Sequence, residues 1–310
     1  MSLAPPSAAH HQYLRKYNIK VITFRGEAID VSELRCTFSM DKKIIGLYQS
    51  AEINIYNLHP ETETDILLNG QYVILEAGYE NGAYGVIFEG YIYQPIRGKE
   101  DDAVTTFLRL VCIDGYYASA MGICNITLAA GQDGLSIAKQ VCRASSIPFD
   151  LESDVLSQQK TTRGKTISGN PIDILRNIAI NNNAAFYFNH GKARISTLSK
   201  APPQVVQTLN AQTGLVGMPH QTDEGINLKC LINPNLDLDS WVKLDNQSII
   251  QNQLGFGVPQ TLLDMDGLYR IIAIEATGDT RGQEWYFDIT AINQLSSLPS
   301  MFTSPSQSGF

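Results

Sequence analysis

Two separated stretches of this chain carry the same succession of alternating segments, and that repetition limits the fold more than any other feature. The first stretch reads Ile53-Asn-Ile, then Val73-Ile-Leu, then Phe88-Glu-Gly-Tyr-Ile, then Phe107-Leu-Arg-Leu. The second reads Ile226-Asn-Leu, then Val242-Lys-Leu, then Tyr269-Arg-Ile-Ile-Ala-Ile, then Trp285-Tyr-Phe-Asp-Ile. Segments with a period of two form strands with one dry face and one wet face. Repeated in order, they point to an internal duplication. Leu34, Cys36, Phe38 and Met40 alternate with Arg35, Thr37 and Ser39 in the same way. Further strands are expected at 72–76, 86–94 and 105–114. Asn69-Gly70 and Asn81-Gly82 are expected to supply positive-φ turn residues. Antiparallel strands are most economically closed as barrels, which leave no edge unpaired.

Between the two stretches the pattern becomes helical. Asp133 is placed to cap a helix with apolar positions Leu135, Ala138, Val141 and Cys142. Asn170 precedes Pro171, with Asp173 in the first turn and Ile172, Leu175, Ile178 and Ala179 on one face. Phe186–Phe188 and 193–197 flank the short hairpin Asn189-His190-Gly191. The expected fold is therefore mainly β (α+β overall): two similar antiparallel β-barrel domains with a small α+β domain between them. The boundaries read 1–16 for an N-terminal arm, 17–116 and 200–295 for the barrels, 117–199 for the α+β domain and 296–310 for a flexible tail. The helices, each with one apolar stripe, suit packing on a barrel wall. Met301, Phe302 and Phe310 in the Ser- and Pro-rich tail suit anchoring in a partner's groove.

The chemistry-bearing residues form no catalytic pattern. The histidines His10, His11, His59, His190 and His220 lack metal-ligand spacing, so no metal site is expected, and His190 reads as a surface turn residue. No nucleophile elbow or Walker loop occurs, and Gly78, Gly82 and Gly85 surround a hairpin turn, so no cofactor is expected. The acidic runs Glu61-Thr-Glu-Thr-Asp65, Glu100-Asp101-Asp102 and Asp237-Leu-Asp239 read as solvated loops. Asp264-Met-Asp266-Gly267 lacks the closing acid of a calcium loop. Charged residues make up 17% of the 310 residues, below the globular average of about 25%; neutral exposed surface of this kind is either interface or the cover of a larger core. A net charge of −8 with no basic cluster argues against gripping nucleic acid, which needs Lys or Arg at each phosphate. The five cysteines are scattered without a CxxC, as in a reduced protein with buried thiols. No secretory signal opens the chain, and its apolar runs are too short to span a bilayer.

The run Ala51-Glu-Ile-Asn-Ile-Tyr-Asn-Leu, with 70–79, 87–92 and 109–115, resembles the first barrel of central baseplate hub proteins from contractile-tailed bacteriophages (the late control protein D-like group). Residues 225–236, with 266–270, 277–282 and Trp285, resemble the second. The middle region is similar to the small domain that such hubs insert between barrels. The resemblance implies a non-enzymatic homotrimer in the virion baseplate, joining a sixfold tail tube protein to a threefold central spike protein. Other baseplate proteins would surround it, and DNA would pass without specific binding. Three copies of a duplicated unit give six, which reconciles the two symmetries. No lysozyme-like or peptidase-like segment is visible. Two alternatives stay open: a hub module of a type VI secretion or tailocin device, and a peptidoglycan-binding protein, since 127–147 has a LysM-like strand-then-helix look.

Overall fold

The computed structural model describes residues 14–46, 48–100, 104–117, 122–151, 156, 160–197, 206–222, 225–245 and 267–293. The first β region holds β1 (Arg15–Thr23), β2 (Ala28–Asp30), β3 (Cys36–Lys43), β4 (Ser50–Tyr56), α1 (Pro60–Asn69), β5 (Gly70–Tyr79), β6 (Tyr84–Lys99) and β7 (Thr106–Ile113). The middle region holds β8 (Cys124–Leu128), α2 (Gly134–Ala144), β9 (Lys165–Gly169), α3 (Pro171–Ile180), β10 (Ala184–Asn189) and β11 (Lys192–Thr197). The second β region holds β12 (Gln207–Thr208), β13 (Leu215–Thr222), β14 (Gly225–Leu231), β15 (Trp241–Lys243), β16 (Leu268–Asp279) and β17 (Trp285–Asn293).

The alternating residues sit where their period requires. Cys36, Phe38 and Met40 are buried on β3, Ala51, Ile53 and Ile55 on β4, and Trp285, Phe287, Ile289 and Ala291 on β17. All five cysteines are free and buried. The arm ends earlier than expected, because Arg15 and Lys16 already pair with Tyr79 and Gly78.

The two β regions repeat one pairing plan. In the first, the order is β3-β4-β7-β6-β5; in the second, β13-β14-β17-β16, with β15 on β16. Among their register shifts, each region has one at the corresponding place, between Ile92 and Gln94 opposite Cys112 and Val111, and between Ile271 and Ala273 opposite Ala291 and Thr290. Aligning these bulges makes Ile92 equivalent to Ile271 and Leu108 to Phe287, and hence Ile53 to Leu228. The side-by-side reading of Ile53-Asn-Ile and Ile226-Asn-Leu thus has the right strands but slips by two residues.

The expectation of two separately closed barrels needs correction. The described pairings form one 13-stranded sheet that is not closed, because β16 leaves β15 after Arg270 and pairs with β3 from Ala273 to Asp279. The edge that β3 would offer for closing its own region is occupied by the other region. One apolar core follows, shared by Ile19, Val21 and Phe38 with Trp285, Phe287 and Ile289. Trp285 packs edge-on against Phe38 at 5.5 Å and Tyr17 at 6.2 Å between centroids.

The run Glu61–Asp65 is helix, not loop. His59 accepts a hydrogen bond from Glu61 N, Pro60 opens the helix, and Glu61 and Glu63 complement the positive end of its dipole. Only Ile66 is fully buried, so the apolar stripe that announces a helix is nearly missing. Gly70 follows this helix at φ −64, and Gly82 does not take a positive φ either; in that hairpin the residue that does is Gly78 at 153.

In the middle region both caps form as expected: Asp133 accepts from Ser136 N at 2.7 Å and Asn170 from Ile172 N at 2.9 Å. A second core gathers Ala138, Val141, Cys142, Ile172, Leu175, Ala179, Phe186 and Phe188. Strand β10 serves both cores, since Tyr187 between those phenylalanines enters the large one.

Candidate functional site

The described residues hold no group of His, Cys, Asp and Glu able to bind a metal ion. Their polar chemistry is concentrated instead where the three regions meet, at the β10–β11 turn. His190 (φ 50) and Gly191 (φ 68) make the mirror-image turn that a two-residue hairpin needs. That turn places Asn189 and His190 against the 233–240 loop of the second β region and β3 of the first.

Lys42 takes an inward position on β3 that period two would give to an apolar residue, and it is 3% exposed. Its ammonium donates to Asp237 Oδ1 at 2.7 Å and to the carbonyl of Ile87 at 3.4 Å. Asp237 Oδ2 accepts from Asn189 Nδ2 at 2.6 Å and lies 3.1 Å from His190 Nε2. Burial alone would raise the Asp237 carboxyl, but Lys42 and His190 hold it well below the ordinary carboxylate value. Beside it, Arg270 forms a close ion pair with Asp239 and donates to Ser196 Oγ at 2.6 Å and to the carbonyl of Thr197 at 2.7 Å. The two acids of Asp237-Leu-Asp239 are thus clamps between regions, not solvated loop residues. His190, expected at the surface, is part of one clamp.

On the other side of the turn, both oxygens of Asp114 accept from Gly191 N at 3.2 Å. Burial pushes the Asp114 carboxyl up to about 7, against the pull of that N–H and of Lys42. A folded value above the unfolded 3.8 favours the protonated form. The stability this group contributes is complete below pH 3.8 and is lost as pH rises through about 7. Asp237 has the opposite sign, contributing above 3.8 and losing its effect only in strong acid. The expected result is that Asp114→Asn, which keeps an acceptor for Gly191, gains stability relative to the natural chain as pH is raised from 5 to 8. Urea denaturation at the two pH values measures this; an unchanged difference would contradict it.

The surface offers a different kind of site. Tyr72, Tyr91, Tyr117, Tyr116 and Tyr93 form a continuous series of ring contacts, with centroids 4.8, 4.5, 6.1 and 5.3 Å apart in that order. It runs from the clamp to the far half of β6, where Tyr93 is 54% and Ile96 38% exposed. His59 caps α1, and His220 is exposed on β13. His10, His11, Asp101, Asp102, Asp264 and Asp266 lie outside the described residues, as do the anchoring candidates Met301, Phe302 and Phe310. No helix among the described residues is long and apolar enough to cross a membrane.

Comparison with known proteins places the arrangement. The 43 kDa tail protein of prophage MuSo2 from Shewanella oneidensis shares the fold with a TM-score of 0.58 at 9% identity, over 90% of this chain and 97% of that one. The tail protein of Neisseria meningitidis MC58 gives 0.56 at 10% identity, over 93% and 98%. The c3393 protein of E. coli, described as a component of the type VI secretion system with structural similarity to T4 tail proteins gp27 and gp5, gives 0.55 at 11% identity, over 87% and 77%. No curated protein sequence matches. The profile of the family described as baseplate hub gp41 matches residues 20–254, most of the chain, and the chain therefore belongs to the baseplate hub gp41 family.

Proposed function

We propose that this structural protein of the phage tail baseplate is a trimeric hub without catalytic activity, joining a sixfold tail tube to a threefold central spike around a channel for DNA. The observation that carries the reading is the repeated pairing plan, down to the equivalent bulge. A unit duplicated within the chain presents six similar faces when three copies close around an axis, so one side can match six tube subunits and the other three spike subunits. The small α+β unit, clamped at one turn, lies on the outside of the ring, and the tail beyond Ser296 anchors partners through Met301, Phe302 and Phe310. A net charge of −8 leaves a channel wall that does not hold phosphate.

Mixing the purified chain with its tube and spike proteins tests the reading. A ring of three copies that binds tube on one face and spike on the other is expected, with no retention of duplex DNA at low ionic strength. Two or six copies per ring, or competition of tube and spike for one face, would refute it. The type VI secretion reading draws on the shared fold of the E. coli component; a gene neighbourhood of secretion rather than virion genes would favour it.

A further inference from the structure

We propose that the polar face shared by β14, β17, β16, β3, β4 and β7 is the wall of the DNA channel. The proposal deepens the hub reading above and rests on it.

The face crosses both β regions without a break. Residues opposite one another run Lys229, Asp288, Glu275, Asp41 and Ser50 from β14 to β4. A neighbouring row runs Tyr286, Thr277, Ser39, Glu52 and Val111 from β17 to β7. Strand residues alternate between faces, and Met40, Ala51, Ala276 and Phe287, the neighbours of these residues, are buried in the core. Ser39, Glu52, Glu275, Thr277 and Asp288 are exposed. The pairing of β16 with β3 is what carries the face from one unit to the other. At that joint the face is concave, with an open groove of about 320 Å³ over β16, β3 and β4.

The charges on this face suit a surface that lets phosphate pass. Among the described residues, each of its cations is held by a carboxylate. Lys43 lies 2.9 Å from Asp41 and 3.7 Å from Glu275, Lys229 3.6 Å from Asp288, and Arg109 4.0 Å from Glu52. Arg35, which leads into β3, lies 2.8 Å from Asp279. Such exposed pairs add little stability. Their effect is to leave no cation free for a phosphate, which binds by displacing counterions from Lys and Arg. The bulge alignment makes Asn54 and Arg109 equivalent to Lys229 and Asp288. Each unit therefore places a cross-strand polar pair at the same point of the wall, with the cation on the opposite strand.

The α+β unit leaves the face clear. Lys42 and Asp114, which meet its turn, continue the inward series of β3 and β7. Arg270, which binds Ser196, lies beyond the bulge, where β16 has left β3 for β15. The unit is thus fastened behind the shared sheet and at its end, in keeping with a place outside the ring. Three copies set eighteen strands of this face around the axis, and a wall of roughly that many strands surrounds an aqueous channel instead of a filled interior.

Thiol labelling of the full chain tests the assignment. Ser39→Cys and Thr277→Cys on the wall, and Asn177→Cys on α3, each replace an exposed residue, whereas the native cysteines are buried. In the free chain all three new thiols should react both with a small maleimide and with one carrying a bulky polyethylene glycol. In rings closed by tube and spike, the two wall thiols should keep the small reaction and lose the bulky one, while Asn177→Cys keeps both. Wall thiols that still take the bulky reagent there would put the face on the outside. Protection from both reagents would make it a contact with tube, spike or a neighbouring copy. Either result overturns the assignment while leaving the three-copy ring intact. Glu52→Lys combined with Asp288→Lys also frees Arg109 and Lys229, so the ring should now retain duplex DNA at low ionic strength and release it in salt. A ring of this variant that retains no DNA would contradict the assignment. A particle without three copies around its axis would refute both the wall and the hub reading.

Discussion

Replacing Lys42 by methionine should destabilise the folded chain by about 3–5 kcal/mol, the usual cost of removing one partner from a buried ion pair. The loss comes less from the bond itself than from the carboxylate left behind. Among the described residues, the Asp237 carboxylate would keep only Asn189 and His190 as partners, in a site where burial opposes its charge. Changing both members, Lys42→Met with Asp237→Leu, should recover most of the loss, because well-packed apolar pairs replace buried ion pairs at little cost. Urea denaturation of the two single variants and the double variant gives the coupling between them. A single variant costing under about 1 kcal/mol would mean that the pair is solvated and does not clamp the three regions.

Trp285→Ala should cost a similar amount, about 3–5 kcal/mol, as for other large aromatic truncations in a core. Its consequence for the architecture is more specific. The indole lies on β17 yet packs against Phe38 of β3 and Tyr17 of β1, and the guanidinium of Arg15 sits 5.4 Å from its ring. The cavity therefore opens in a core that both β regions share. Both should lose stability together, in one transition, with hydrogen-exchange protection falling in β1 and β3 as much as in β14 and β17. Protection lost only in the second β region would show two cores that unfold apart.

The strands were legible because their signal is local. Cys36, Phe38 and Met40, or Trp285, Phe287 and Ile289, announce a half-buried strand with no knowledge of its neighbours. The caps at Asp133 and Asn170 were legible for the same reason, since each hydrogen bond closes within three residues. The joint between the two β regions was not. Ala276 meets Met40 across most of the chain, and nothing in either strand distinguishes an edge that closes its own region from one that accepts another. Lys42 and Asp237 were unreadable on similar grounds: they are 195 positions apart, and an acid beside Asn235 and Ser240 looks like an ordinary turn residue until its cation is found. Helix α1 shows a third limit. His59, Pro60, Glu61 and Glu63 are proper start signals, but with one fully buried side chain the amphipathic stripe is too thin to outweigh the acidic run.

The central claim is that a duplicated β unit, present twice per chain, becomes sixfold when three chains close. Cryo-electron microscopy of the assembled tail tests it most directly. The account predicts three copies around the axis, with the β3–β7 and β13–β17 units alternating at near-sixfold positions, the α+β unit on the outside, and a channel wall without a lysine and arginine lining. Two or six copies around the axis, helices α2 and α3 lining the channel, or a wall made mainly of lysine and arginine would contradict it.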